Sequence, residues 1–194
     1  EAEATGKIAN TLVGSYRPAK VVTISYSGTI MGAIEALPKD VKVSVAESLP
    51  MGEGAITCRK LMERGYEACL FRDSMAPTEI READLVITGA DGVCPEGVVN
   101  KVGTMSMALA AKQHGKPFVV LCSTSKLIPV LQMDAVEGEC SSQELKVKEI
   151  VFEMTPLDLV TAFITDEGAI SGTEMRSRLL RDRSRMSDTE CQTC

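Results

Sequence analysis

The feature that most constrains this chain is an alternation, kept up over residues 20–122, between short apolar runs and longer stretches with apolar residues at helical spacing. Lys20-Val21-Val22-Thr23-Ile24-Ser25 is the first run, rich in β-branched residues, and Ile30, Met31, Ile34 and Leu37 follow it three and four residues apart. Val41, Val43 and Val45 alternate as a strand does. Ala55, Cys58, Leu61 and Met62 then form a helical stripe that Gly65 is placed to cap. Residues 66–71 read as a third strand, 77–83 as a short helix and 84–88 as a fourth strand. Residues 104–114 form a helix in which Met105, Ala108, Leu109 and Ala111 leave little polar surface. Gly115-Lys116-Pro117 ends it, and 118–122 is a fifth strand. Strand–helix–strand units of this length pair in parallel with right-handed crossovers. The expected fold is α/β: a Rossmann-like parallel sheet with helices on both faces.

The last third is less regular. Residues 128–143 carry no clear period and predict a loop with a small helical turn, and 149–152 are expected to add a strand. Thr155-Pro156-Leu157-Asp158 has the composition of a helix start, with Leu159, Val160, Phe163 and Ile164 as the apolar face of the helix that follows. Arg176, Arg178, Arg181, Arg183 and Arg185 predict a solvated helix face running into a polar tail. The chain therefore divides into a Rossmann-like domain over 1–172 and an Arg-rich helix and tail over 173–194.

At 194 residues the chain is long enough for one domain with a core of its own, and 44% hydrophobic residues exclude a disordered polymer. No apolar run approaches the ~20 residues of a membrane span. Glu1-Ala2-Glu3-Ala4 has neither the basic nor the apolar region of a signal peptide, so a cytoplasmic location is expected, with no membrane partner. A balance of 21 basic against 27 acidic residues predicts no direct nucleic-acid partner. Seven cysteines, an odd number, argue against a disulfide framework. Cys191 and Cys194 form a C-x-x-C in a polar stretch with no second pair, and His114 is the single histidine, so neither a metal nor another cofactor is expected.

In an open parallel sheet, ligands bind beyond the carboxyl ends of the strands, where helix N-termini present free N–H groups. Three segments meet that description. Ser25-Tyr26-Ser27-Gly28-Thr29 follows the first strand and opens a helix; its hydroxyls and glycine suit a phosphate, although Ser and Thr are also the commonest N-caps. Gly89-Ala90-Asp91-Gly92, then Gly97, then Asn100-Lys101-Val102-Gly103-Thr104 lead into the buried helix. A carboxylate facing a phosphate-binding lysine is suited to proton transfer on a phosphorylated sugar; the other reading is a turn aspartate and a solvated lysine. Ser123-Thr124-Ser125-Lys126 ends the fifth strand and brings a second lysine to the same edge. Neither G-x-x-x-x-G-K-S/T nor a G-x-G-x-x-G after the first strand is present, so both common nucleotide fingerprints are absent.

The run Asp84-Leu85-Val86-Ile87-Thr88-Gly89-Ala90-Asp91-Gly92, with Gly97-Val98-Val99-Asn100-Lys101-Val102-Gly103-Thr104 after it, resembles one superfamily. That superfamily unites the alpha, beta and delta subunits of translation initiation factor 2B with the aldose–ketose isomerases acting on ribose 1,5-bisphosphate and 5-methylthioribose 1-phosphate. Further matches are Glu47-Ser48-x-Pro50, Asp73-Ser74-Met75-Ala76, Lys116-Pro117-Phe118, Val151-Phe152-Glu153-Met154-Thr155-Pro156 and Ile164-Thr165-Asp166-Glu167-Gly168, so the resemblance covers residues 18–172 in order. It implies that Asp91 stands at the catalytic aspartate, Asn100 and Lys101 at a substrate-binding pair, and Lys126 at a lysine of the initiation-factor and ribose-bisphosphate branches. The methylthioribose branch differs there, which places that substrate last.

Three departures matter. Ser25 falls where the isomerases carry a catalytic cysteine, and a hydroxyl ionises too far above neutral pH to replace a thiol without a strong base beside it. Leu49 replaces the arginine of the isomerases' E-S/T-R-P motif and Glu53 aligns with a glutamine, exchanges that weaken a phosphate site. The helical region that these families place ahead of the domain is not expected here. The reading is an initiation factor 2B-like sugar-phosphate-binding and assembly domain without catalysis. Its phosphorylated sugar or nucleotide is held by Ser25, Ser27, Gly28, Thr29, Asn100, Lys101, Gly103, Thr104 and Lys126. The alternative is an aldose–ketose isomerase on a phosphorylated ribose, of the ribose 1,5-bisphosphate type, with Asp91 as its catalytic residue. A homo- or hetero-oligomer contact is expected from the helix after Thr155 and its flanks.

Overall fold

The apolar runs become strands because the inner ones, Lys20–Ile24, Leu85–Thr88 and Phe118–Leu121, are buried between two layers of helices, while Ala68–Phe71 lies at the sheet edge with Cys69 and Leu70 exposed. The computed structural model describes residues 2–129, 137–141 and 146–191. In chain order its strands are β1 (Lys20–Ile24), β2 (Lys42–Ala46), β3 (Ala68–Phe71), β4 (Leu85–Thr88), β5 (Gly92–Cys94) and β6 (Gly97–Lys101). They continue with β7 (Phe118–Leu121), β8 (Glu137–Ser141), β9 (Lys146–Ile150), β10 (Phe152–Thr155), β11 (Ala162–Thr165) and β12 (Gly168–Ile170). The helices are α1 (Ala2–Ser15), α2 (Gly28–Glu35), α3 (Gly54–Glu63), α4 (Ala76–Arg81), α5 (Thr104–Gln113) and α6 (Gly172–Cys191).

Seven strands form one sheet in the order β12-β11-β7-β4-β1-β2-β3, parallel throughout except where β12 turns back on β11. Alternate residues feed two cores. Val21, Val43, Leu85, Ile87 and Val119 meet Ile8 and Leu12 of α1, Ile30 and Ile34 of α2 and Leu61 of α3. Val22, Ile24, Val86, Val120 and Phe163 meet Ile80 of α4, Met107 and Ala111 of α5 and Met175 and Leu179 of α6. The fold is thus the expected α/β arrangement, a mostly parallel sheet with helices on both faces. Beside it β5, β6 and β10 make a small antiparallel sheet, and β8 pairs with β9 as a separate hairpin. Among the described residues no helix is long and apolar enough to cross a membrane.

The structure corrects several expectations. The helix expected after Thr155 does not form: Leu157–Leu159 makes one short 3-10 turn and the chain runs on as β11 beside β7. The positions 159, 160, 163 and 164 fit a helical stripe, but Phe163 and Ile164 point into opposite cores, which only a strand allows. The expected oligomer contact therefore has no helix to rest on. The expected loop over 128–143 gives a strand at Glu137–Ser141, while residues 130–136 and 142–145 lie outside the described residues. The expected strand at 149–152 is divided between the end of β9 and the start of β10. A helix, α1, does precede the first strand. The Arg-rich stretch is helical, with Met175 and Leu179 fully buried and Arg176 and Arg181 exposed. The C-x-x-C runs into residues 192–194, outside the described residues.

Phe163 is fully buried in the core beneath α6. Phe163→Ala is expected to lower the unfolding free energy by about 3–5 kcal/mol in urea titrations. A loss below about 1 kcal/mol would place residue 163 outside the core.

Candidate functional site

The strand order sets the position of the site. From β1 the chain moves outward to β2 and β3, then crosses back to β4 on the other side of β1, which opens a crevice at the carboxyl ends of β1 and β4. A cavity of about 770 Å³ lies there. Its walls are residues 24–29 after β1, 89–91 after β4 and 121–126 after β7, with Asn100, Asp166 and the first turns of α1.

Ser25 leaves β1 in the left-handed region, φ 66°, an unusual conformation for a residue with a side chain. Two hydroxyls clamp its backbone: its N–H donates to Ser48 Oγ at 2.7 Å and its carbonyl accepts from Thr57 Oγ1 at 2.6 Å. Ser27 caps α2, its Oγ accepting from the Ile30 N–H at 3.4 Å. A Cβ on Gly89 would stand 3.3 Å from Ser27 Oγ, so the absence of a side chain lets the β4 loop close up on this cap. Gly28 and Thr29 line the same wall.

Asp91 donates its N–H to the Val99 carbonyl at 2.9 Å, which starts the β5–β6 hairpin and brings Asn100 back to the cavity. The Asp91 side chain is exposed on the wall. Both Asn100 amide hydrogens are engaged, by Thr88 Oγ1 at 2.8 Å and Thr104 Oγ1 at 2.9 Å, which leaves Oδ1 for a ligand hydroxyl. Lys126 sits exposed on the rim, beside the hydrogen-bonded hydroxyls of Ser123 and Ser125. Asp166 holds that loop, accepting from Thr124 N at 2.7 Å and from Thr124 Oγ1 at 3.2 Å, and the backbone N–H keeps its carboxyl below the usual range.

Three of the expected ligand-binding residues are not on the cavity wall. Lys101 is 2% exposed and its Nζ lies 2.5 Å from Glu53 Oε1 and 5.4 Å from the Phe152 ring centre. Gly103 and Thr104 open α5, but Glu153 Oε1 accepts from Gly103 N at 2.7 Å and from Met105 N at 2.8 Å, so a carboxylate of the chain occupies this helix N-terminus. The Thr104 hydroxyl donates to the Lys101 carbonyl at 2.6 Å. Sequence reasoning missed Glu153, Asp166, Ser48 and Thr57 as supports. The first three stand in motifs that the sequence displays, but nothing local told which backbone groups they would meet. Among the described residues no cluster of three or more His, Cys, Asp or Glu is arranged to hold a metal ion.

Cys122 also borders the cavity, and burial pushes its thiol up to about 12. At pH 8 only about one such thiol in ten thousand is ionised, so it resists alkylation. Iodoacetamide followed by peptide mapping is expected to modify exposed Cys69 well before Cys122. Equal rates at the two residues would contradict the burial of Cys122.

The sequence profile of the Initiation factor 2 subunit family matches residues 2–172. A methylthioribose-1-phosphate isomerase of Heliobacterium modesticaldum is 37% identical over 163 residues, 73% of this chain and 47% of that protein. A ribose 1,5-bisphosphate isomerase of Archaeoglobus fulgidus is 37% identical over 145 residues, 68% of this chain and 46% of that protein. The chain thus spans about half the length of these curated relatives. The crystal structure of the Pyrococcus horikoshii OT3 translation initiation factor eIF-2B superposes with a TM-score of 0.81 at 29% identity, covering 87% of this chain and 64% of that one.

Proposed function

The chain belongs to the Initiation factor 2 subunit family, and on that premise we propose that its cavity binds a phosphorylated ribose and supports aldose–ketose isomerisation. The observation that carries this reading is the convergence of Asp91, Asn100 and the Ser123–Lys126 loop on one cavity with the N-terminus of α2. The relatives named as isomerases, matching at 37% identity, favour turnover over binding alone. The phosphate lies against the α2 N-terminus and Lys126, where N–H groups and an ammonium meet it. On a ribose whose C1 oxygen carries no phosphate, Asp91 takes the proton from C2 of the open-chain aldose and returns it to C1, while the C2 hydroxyl proton passes to the carbonyl oxygen at C1. Atoms and electrons balance without any co-reactant. Asn100 Oδ1 accepts from a sugar hydroxyl, and the Ser25 hydroxyl hydrogen-bonds a sugar oxygen.

A second reading has its own support. Ser25 offers a hydroxyl at the end of β1, a poor proton donor at neutral pH, and that favours a domain that binds the same ligand without turning it over. The likeness to the archaeal eIF-2B structure agrees with it. This reading carries with it assembly with like or unlike subunits and a cytoplasmic place of work.

Phosphorus NMR of ribose 5-phosphate separates the two. A ketose-phosphate resonance is expected with the wild-type chain, and Asp91→Asn is expected to slow its appearance by about a hundredfold or more while binding stays within a few-fold. Resonances that broaden without conversion would transfer the conclusion to the binding domain. Unchanged spectra would overturn both.

A further inference from the structure

We propose that the cavity is a one-phosphate site, taking a ribose with a single phosphoryl group and turning away the bisphosphate. The inference rests on the phosphorylated-ribose reading and narrows its substrate class.

Charge on the cavity wall is the first ground. Among the described residues the acidic and basic side chains on the wall are Asp91, Asp166 and Lys126, two carboxylates against one ammonium. A sugar monophosphate brings about two negative charges at neutral pH and a bisphosphate about four. Lys126 and the α2 N-terminus line the cavity together and supply positive partners for one phosphate. A second must settle near a carboxylate.

The second ground is that two further positive positions at this edge are already neutralised from within. Lys101 is spent on Glu53, and at 2% exposure no solvent competes for it. Apart from this ion pair, Lys101 Nζ and the other Glu53 oxygen have no hydrogen-bond partner, so opening the pair would leave the buried Lys101 ammonium bare. Thr57, one turn beyond Glu53, donates to the Ser25 carbonyl, which sets the pair behind the Ser25 wall of the cavity. The N-terminus of α5, the other position, holds the Glu153 carboxylate on two N–H groups. Glu53 is thus a specificity-determining residue: it neutralises the buried Lys101 cation beside this edge, while Lys60 is engaged outside by the Tyr26 hydroxyl at 2.7 Å.

Calorimetric titration of the full chain with ribose 5-phosphate and with ribose 1,5-bisphosphate, at one ionic strength, tests the proposal. The monophosphate is expected to bind about tenfold tighter, the size of the repulsion between like charges about 12 Å apart at an effective dielectric of about 20. Equal or tighter binding of the bisphosphate overturns it. E53Q, checked for its fold by circular dichroism, is expected to raise bisphosphate affinity about tenfold by freeing Lys101, with little change for the monophosphate; an unchanged ratio overturns the proposal. The double variant E53Q/K101M keeps the polar replacement but frees no cation, and its ratio is expected to match the wild type. A ratio shifted as in E53Q would show that Lys101 is not the source, again overturning the proposal. The wild type and the double variant decide the matter if E53Q fails to fold. Failure of both ligands to bind the wild type is a different result, which removes the phosphorylated-ribose reading and this inference with it.

Discussion

The central sheet is buried on both faces, Val21 against one layer of helices and Val22 against the other, and this double burial governs where polar chemistry is possible. Strand residues such as Val86, Ile87, Val119 and Val120 have no exposed surface, so a ligand has no face of the sheet to reach. What remains is the edge where parallel strands end and helices begin. There the backbone N–H groups of α2 and the loops after β4 and β7 stand around one crevice. The small antiparallel sheet serves that edge. Its hairpin carries Asn100 back to Thr88, at the end of β4, through a 2.8 Å hydrogen bond, so a residue twelve positions on is fixed to the strand the hairpin left.

Charges at this edge are managed by the chain itself. Glu53 meets Lys101, Glu153 meets the first N–H groups of α5, and Asp166 meets Thr124, so three carboxylates are committed to holding loops and helix ends in place. The Asp91 carboxylate, by contrast, stands exposed on the cavity wall. Fixed dipoles and paired charges hold their geometry in advance, which favours recognition of a small anion over a flexible cluster of lysines.

Much of this was legible in the sequence. The strands β1, β2, β4 and β7 stand out because β-branched residues crowd into short runs, and the segments after β1, β4 and β7 are marked as candidate ligand loops by their Gly, Ser and Asp content. Ser25, Ser27, Gly28, Thr29, Asp91, Asn100 and Lys126 do gather on one cavity. Lys101 was expected to face the ligand, and the structure pairs it instead with Glu53, a carboxylate forty-eight residues back that nothing local to Lys101 announces. Gly103 and Thr104 lie off the cavity wall, and the carboxylate that fills their helix end lies fifty residues on, which no local pattern announces. The segment after Thr155 was misread because four apolar positions fit two periods, and the open slot beside β7 chose the strand.

Residue 25 shows how geometry and chemistry separate at this site. Holding a serine in the left-handed region costs about 1–3 kcal/mol, and such strain persists only where neighbours impose it. The imposition runs through three loops. Asp73 accepts from the N–H groups of Ser48 and Leu49, both at 2.8 Å, and Ser48, itself left-handed at φ 66°, presents its hydroxyl to the Ser25 N–H. Thr57 closes the arrangement from α3. None of these contacts involves the Ser25 side chain, so the clamp would hold a cysteine in the same position as readily as a serine. The backbone at residue 25 is thus fixed independently of the atom in which its side chain ends. Residue 25 separates position from acidity: one backbone frame carries a hydroxyl or a thiol alike, and only the acidity of the group differs.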